Sequence, residues 1–247
     1  MPEHEVWLTG LFNDHLAGLG NWLLSVFNIH AEHPARPWTN FITMQIVVAA
    51  VIVVVFAILR PRLSVDRPGK MQHTFEAIFS FLRGEASDNI GHDGPKFLPF
   101  LGTLFIFILF SNLIGIIPGF ESPTMNPSVP AGCALLVFIY YNFMGFRQQG
   151  VFKYIGHFAG PIWWLAPLML PIELVSHMAR PLSLTIRLFA NMLAGEKVTM
   201  AFLGLTYLVV PAVFMGLHVF VSFLQAYIFV LLTMIYLSET VPHEQHS

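Results

Sequence analysis

Three stretches of the chain are apolar for about 20 residues each: FITMQIVVAAVIVVVFAIL (41–59), FLPFLGTLFIFILFSNLIGIIP (97–118) and VPAGCALLVFIYYNFMGF (129–146). At 1.5 Å of rise per residue, about 20 such residues cross roughly 30 Å of hydrocarbon. Each stretch predicts an upright transmembrane helix. Further on the pattern changes. Residues 161–193 stay largely apolar but are punctuated by proline and charge, and residues 198–238 are apolar almost throughout. Helices of those lengths measure roughly 50 and 60 Å, too long for an upright crossing, so they must tilt, kink or break. Pro167, Pro171, Pro181 and Pro211 offer places to bend. The segment AGE at 194–196 reads as the turn of a long tilted two-helix hairpin.

Two segments alternate differently. Trp7, Leu11, Leu19, Trp22 and Val26 recur among polar residues, and so do Met71, Phe75, Ile78, Phe79 and Leu82. Both fit amphipathic helices lying in the membrane interface, with the groove of a soluble partner as the alternative. The expected fold is an all-α membrane protein of one domain: an external segment over 1–40, three upright spans, the tilted hairpin and the interfacial helices. Basic residues set the orientation. Arg60, Arg62, Arg67 and Lys70 follow the first span, and Arg147 and Lys153 follow the third. By the positive-inside rule both loops are cytoplasmic, which puts the N-terminus outside and the C-terminus inside.

Composition agrees. The chain has 247 residues, 55% of them hydrophobic and 11% charged. Its mean hydropathy is +0.67. Soluble domains carry about 25% charged residues. A net charge of -2 argues against a nucleic-acid partner. The start, MPEHEVWLTG, lacks the basic opening of a secretory signal. The single cysteine, Cys133, permits no internal disulfide and reads as a small core residue. The histidines near the two ends (His4, His15, His30, His33, His243, His246) show no paired spacing, so no metal site and no cofactor is expected.

Charge inside the hairpin is what calls for an explanation. Turning 100° per residue, Glu173, Ser176, Arg180, Ser183, Arg187 and Asn191 fall within an arc of roughly 80° on one helix face. On the last helix Tyr207, His218, Ser222, Gln225 and Tyr236 fall within roughly 60°. Facing stripes would make a hydrated seam. An arginine at mid-membrane costs about 2.5–3.5 kcal/mol on insertion scales. It cannot escape by losing its proton. Arg187 therefore needs an anion, water or both. One reading pairs it structurally with Glu173 or Glu196. Glu173, however, lies fourteen helical residues away, about 21 Å, and Glu196 lies beyond the expected turn. The other reading gives Arg187 a carboxylate on another protein and a place on an ion pathway. Arg180, next to Pro181, reads more readily as a structural charge.

The segment RPLSLTIRLFANMLAGE, with HVFVSFLQAYIFVLLTMIYL downstream, closely resembles subunit a of the bacterial-type rotary F-type ATP synthases, over nearly the whole chain. The resemblance implies a stator in the bacterial plasma membrane, beside a ring of small hairpin c-subunits that each carry one membrane carboxylate. It also implies b-type peripheral-stalk subunits and a soluble catalytic head as partners. Arg187 matches the family's essential arginine. Ser183, Asn191, Glu196, His218 and Gln225 match polar positions lining proton access to it, and Glu173 matches an acid that some members place in the cytoplasmic path. His218 and Glu196 titrate and are candidate relays, with a cross-hairpin hydrogen bond and a helix end as their respective alternatives. Asn191 and Gln225 suit holding water or positioning Arg187. Asn112 and Asn126 are candidates for the outer mouth or for interhelical hydrogen bonds.

The chain departs from the pattern at two places. Ala190 stands where many relatives have glycine, and Gly115 where some carry an aspartate, which leaves Glu121 or the His218–Glu196 pair to serve the outer path. Ion choice rests largely with the ring, with protons favoured over sodium. Two competing classes find less support. A secondary transporter using Arg187 for an anionic substrate often shows related halves, and no inverted repeat is visible. A membrane enzyme would need catalytic motifs, and H-E-x-x-H, G-x-S-x-G and G-x-x-x-x-G-K-[ST] are all absent. The chain is thus expected to be non-catalytic.

Overall fold

Helices form where the apolar runs predict them. A computed structural model describes residues 6–26, 35–64, 68–117, 119–150, 166–203 and 209–240. Among the described residues there are seven α-helices and no strand: α1 (Trp7–Val26), α2 (Asn40–Leu59), α3 (Lys70–Ile90), α4 (Leu98–Leu113), α5 (Ser128–Gln149), α6 (Ala166–Leu203) and α7 (Val209–Ser238). Among the described residues, four stretches are long and apolar enough to cross a membrane: Asn40–Arg62, Gly94–Ile116, Ser128–Gln149 and Ala212–Ser238. α6 has the length, but Glu173, Arg180, Arg187, Glu196 and Lys197 break its apolar run. The protein is an all-α, multi-pass membrane protein.

The core forms where helical spacing stacks large apolar side chains. Leu184, Leu188 and Met192 recur every fourth residue of α6 and are fully buried. They meet Leu101, Phe105 and Ile108 of α4, Tyr141 of α5, and Phe229, Val230 and Met234 of α7 in one cluster. α6 packs on α5 and α7, α4 packs on α7 and α2, and α3 crosses α4 and α7. Val53, Val54, Leu135, Leu136 and Ile139 are exposed in the chain by itself. A surface of that kind suits lipid or a membrane partner.

Hydrogen bonds sort the helix ends. Asn40, which opens α2, donates to Glu121 in the α4–α5 loop. Gln149, which closes α5, donates to the carbonyls of Glu239 and Thr240 after α7. The chain starts α2 and α5 at the Glu121 end and finishes α5 and α7 at the other. The basic residues Arg60, Arg62 and Arg147 therefore gather at the end that holds Glu239.

One expectation is corrected. The segment 194–196 does not turn; α6 runs unbroken through it to Leu203. Glycine in a helix costs about 1 kcal/mol relative to alanine. Here Gly195 meets the His218 ring, where a Cβ would lie 3.2 Å from Nδ1. The α6–α7 approach is close at this point, and a larger side chain would press on the His218 ring. The connection falls in 204–208, outside the described residues, as does Tyr207. Pro171 and Pro181 sit inside α6 without ending it. Pro211 lies in the first turn of α7, where a missing N–H costs least. Residues 151–165, including Lys153 and the expected start of the hairpin at 161, also lie outside the described residues, as do His4, His30, His33, Arg67, His243 and His246.

The two amphipathic segments are helical. α1 is held by Asn13, whose side chain accepts from the Trp38 backbone at 3.0 Å and donates to its carbonyl at 3.1 Å. Its apolar residues Trp7, Leu11, Leu19, Trp22 and Val26 face away from the chain, as do Met71 and Phe79 of α3.

Gly94 marks a tight packing point, since a Cβ there would stand 2.2 Å from the carbonyl oxygen of Ala86 in α3. Gly102 has open space around it. Gly94→Ala is expected to destabilise the protein by about 1–3 kcal/mol through overpacking, and Gly102→Ala by far less. Thermal unfolding of the detergent-solubilised protein checks this, and equal melting of the two variants contradicts the packing described.

Candidate functional site

α6 divides its circumference between two tasks. Leu184, Leu188 and Met192 point into the core. The other side presents Ser183 and Asn191 exposed, with Arg187 half-buried between them and the exposed Leu182 and Ile186 alongside. Arg187 forms no ion pair and no side-chain hydrogen bond among the described residues, so neither Glu173 nor Glu196 neutralises it. Glu173 and Ser176 are exposed further along the same helix.

The two polar stripes meet at one direct contact. Asn191 Nδ2 donates to Gln225 Oε1 at 2.8 Å. Gln225 and Ser222 are buried on α7. One turn from Ser222, His218 sits against Gly195, and its Nε2 is buried with no hydrogen-bond partner among the described residues. Glu196, half-buried beside Gly195, is within electrostatic reach of Glu121 and Lys197. A cavity of about 440 Å³ lies between α6 and α7, lined in part by Asn191, Gly195, Thr199, His218 and Gln225. Asn191, Thr199, His218 and Gln225 give it a polar part within a largely apolar lining.

Arg180 is in a different situation. Its guanidinium makes a two-pronged contact with the Glu239 carboxylate, the second prong at 3.2 Å. Its Cζ lies 5.0 Å from the centre of the Tyr236 ring. A bidentate carboxylate and an aromatic face are the partners a guanidinium fits best. The pair joins α6 to the end of α7, and Tyr236 lies within electrostatic reach of both arginines.

Two groups had escaped sequence reasoning. His177 is buried against α5, 3.0 Å from Asn142 Oδ1 and 3.3 Å from the Tyr141 hydroxyl. Its neighbour Ser176 fell on the polar arc, and His177 lies 100° away, on the packed side. The second group is a row of hydroxyls. Ser122 Oγ donates to the Ser111 carbonyl at 2.7 Å and touches Thr124 Oγ1 at 2.7 Å. Thr124 in turn donates to Asn112 Oδ1 at 2.7 Å. Asn112 Nδ2 reaches the Ser222 carbonyl on α7. Serine and threonine in a loop carry no periodic signal; the pair Ser111–Asn112 inside an apolar span was the available cue. Asn126 accepts from the Ser128 backbone, a helix-start contact. Among the described residues no group of three or more His, Cys, Asp or Glu side chains could hold a metal ion.

Comparison with known proteins matches residues 41–238 to the family model described as ATP synthase A chain. ATP synthase subunit a of Solibacter usitatus is 68% identical over 234 residues, covering 95% of this chain and 100% of the relative. ATP synthase subunit a of Koribacter versatilis is 46% identical over 243 residues, covering 98% of this chain and 99% of the relative. The corresponding protein of Geotalea daltonii is 48% identical over 170 residues, covering 69% of this chain and 74% of the relative.

The contact between Asn191 and Gln225 generates a stability test. Asn191→Leu and Gln225→Leu should each lower the melting temperature, and the double variant should lose less than their sum. The coupling energy expected from thermal unfolding is about 1 kcal/mol. Additive losses would show that the two amides do not hold each other.

Proposed function

The chain belongs to the ATP synthase A chain family and is a subunit a of the membrane sector; on that premise we propose that it is the non-catalytic stator whose Arg187 divides two proton half-channels. The observation that carries this reading is Arg187 itself: a permanent cation on a membrane helix, half-exposed, with no partner among the described residues of its own chain. The neutralising carboxylate then comes from outside the chain. A ring of small subunits, each bearing one membrane acid, supplies it in succession. The exposed face around Ser183, Arg187 and Asn191, with Leu182 and Ile186, is where that ring runs.

The chemistry follows from charge. A guanidinium close to a ring carboxylate lowers that acid's pKa and makes it release its proton. The same guanidinium blocks a direct leak, because it neither gives up its own proton nor lets a cation pass cheaply. A proton entering from one side therefore protonates a ring acid, rides the ring, and leaves on the other side. The contact must also break each time. A wet seam weakens it, whereas a dry ion pair at low dielectric would hold the ring. Each proton crossing yields about 2.3 kcal/mol per 100 mV, so several together drive ATP formation in the soluble head.

The half-channels divide along α6. Glu196, His218 and the Asn191–Gln225 pair lead to Arg187 from the Glu121 end. Ser183 and Glu173 lead away toward the end that holds Glu239. The basic residues Arg60, Arg62 and Arg147 gather at that second end, which makes it cytoplasmic. The N-terminus is then outside and the C-terminus inside. A peripheral stalk of b-type subunits fixes the stator to the head, and lipid covers the remaining apolar faces. His218 and Glu196 pass protons; Asn191 and Gln225 hold water and position the arginine.

Arg187→Ala is expected to abolish proton-driven ATP synthesis by the reconstituted complex, while the soluble head still hydrolyses ATP. Synthesis at the normal rate in that variant ends the proposal. A second expectation concerns direction. Glu196→Gln should slow proton uptake from the outer side more than Glu173→Gln does, by on the order of tenfold or more. Proton uptake in oriented vesicles decides it, and equal or reversed effects refute the assignment of the paths.

A further inference from the structure

The loop between α4 and α5 does more than connect them. Its short helical turn Pro123–Met125 packs against α2, α4, α5 and α6 together. Ser122 and Thr124 are buried within it, at 3% and 0% exposure. A loop this deep normally has every polar group satisfied, because a buried unpaired donor or acceptor costs about 1–3 kcal/mol. On the helices around it several are not. Ser111 Oγ, Ser222 Oγ, Thr43 Oγ1 and His218 Nε2 are all buried without a hydrogen-bond partner among the described residues. They sit on three helices around the same loop or on the α7 turn it reaches. Water is the group that satisfies such a set.

The hydroxyls carry a second anomaly. Ser122 and Thr124 own one proton each, yet three contacts of 2.7 Å ask for one: Ser122 to the Ser111 carbonyl, Ser122 to Thr124, and Thr124 to Asn112 Oδ1. Two protons cannot serve three contacts at once. Either hydroxyl has two acceptors within reach of its single hydrogen, so the pair can be arranged in more than one way. A hydroxyl of that kind can accept a proton on its lone pair while releasing its own. At one end of this row stands Glu121, next in sequence to Ser122, half-buried and accepting from Asn40 Nδ2 at 3.2 Å. At the other end Asn112 reaches the backbone of Ser222, one turn from His218 and one turn from Gln225.

We propose that Glu121 is the entry group of the outer proton path, and that Ser122, Thr124 and water beside Ser111 and Ser222 carry protons from it to His218. This rests on the reading of the chain as a proton path given above. One proton enters at the Glu121 carboxylate from outer water. Each hydroxyl takes one and passes one on. Water at the unsatisfied serines bridges to His218 Nε2, and the charge that leaves equals the charge that enters. Asn112 does not relay; its amide pins Thr124 on one side and α7 on the other. Glu196 on α6 lies within electrostatic reach of Glu121, with Lys197 beside it. Two acids at one mouth keep it attractive to protons. It does not depend on a carboxylate in the turn just after α4, where this chain has Gly115.

The test uses the whole complex in vesicles. ATP synthesis is measured while pH is varied on the Glu121 side at constant total driving force. Glu121→Gln should shift the half-saturating proton concentration upward by on the order of tenfold, with the maximal rate recovered at acid pH. Glu121→Asp should stay near the unaltered protein. Thr124→Val, which keeps shape and removes the hydroxyl, should lower the maximal rate severalfold without shifting the pH dependence. A purely structural loop would lower assembly and leave the pH dependence of assembled complexes unmoved. An assembled Glu121→Gln complex with unchanged pH dependence overturns the proposal. If that variant fails to assemble, Thr124→Val decides, and an unchanged rate overturns it. The parent reading is judged separately by Arg187→Ala, so either can fail without the other.

Discussion

A charge with no neutralising partner among the described residues of its own chain sets the terms for the proposed site. An arginine at membrane depth keeps its proton under all ordinary conditions, and hydrocarbon does not solvate it. Arg180, seven residues away on the same helix and at the Glu239 end, is resolved locally: it has Glu239 in a two-pronged grip and Tyr236 beneath it. Arg187 has neither. The contrast between two arginines on one helix makes the unpaired one informative. The same sequence that buries Leu184, Leu188 and Met192 leaves Arg187 on the face turned away from the core.

The rest of the architecture can be understood as what keeps that face presentable. α6 stays continuous past the arginine, through Gly195, and carries Glu196 nine residues further along the same helix, about half a turn round from Arg187. At Gly195 the absent side chain lets α7 approach and sets His218 against the helix. The Asn191–Gln225 hydrogen bond then fixes the rotation of the two helices about each other. α4 and α5 supply the apolar floor beneath, and the Arg180–Glu239 pair closes the opposite end. Rigidity is concentrated on the inner side of α6, and the outer side carries few internal ties.

Much of this was legible in the sequence, for a physical reason. Hydrocarbon imposes one solution on the backbone, so apolar length translates almost directly into helices. The three spans, the two amphipathic helices and the polar arc of α6 needed no tertiary information. The turn at 194–196 was misplaced because glycine is a local stop signal, whereas here Gly195 serves a close approach to His218 on another helix. The hydroxyl row was missed for a related reason. Ser122 and Thr124 have no periodicity, and their importance comes from being enclosed by four helices that meet only in three dimensions. His177 was passed over because attention to one face of α6 hides the other, where it contacts Tyr141 and Asn142.

These two kinds of site also differ in what a membrane permits. A permanent cation must be visible in the sequence, since nothing else tolerates its position. A proton path has no such requirement. Hydroxyls and amides are cheap to bury while each finds a partner, and they become a path only where partners run short. The unsatisfied atoms of Ser111, Ser222, Thr43 and His218 mark that shortage, all of them around the α4–α5 loop or the α7 turn it reaches. A fold selected only for stability would have filled these positions with alanine, or supplied the missing acceptors, at a gain of about 1–3 kcal/mol for each. Keeping the deficit at the end nearest Glu121 and Glu196, while the Glu239 end is tied by a charged pair, gives the two ends of the molecule different affinities for water. On the proposed reading, an asymmetry of that kind separates the two routes by which protons reach one permanent charge.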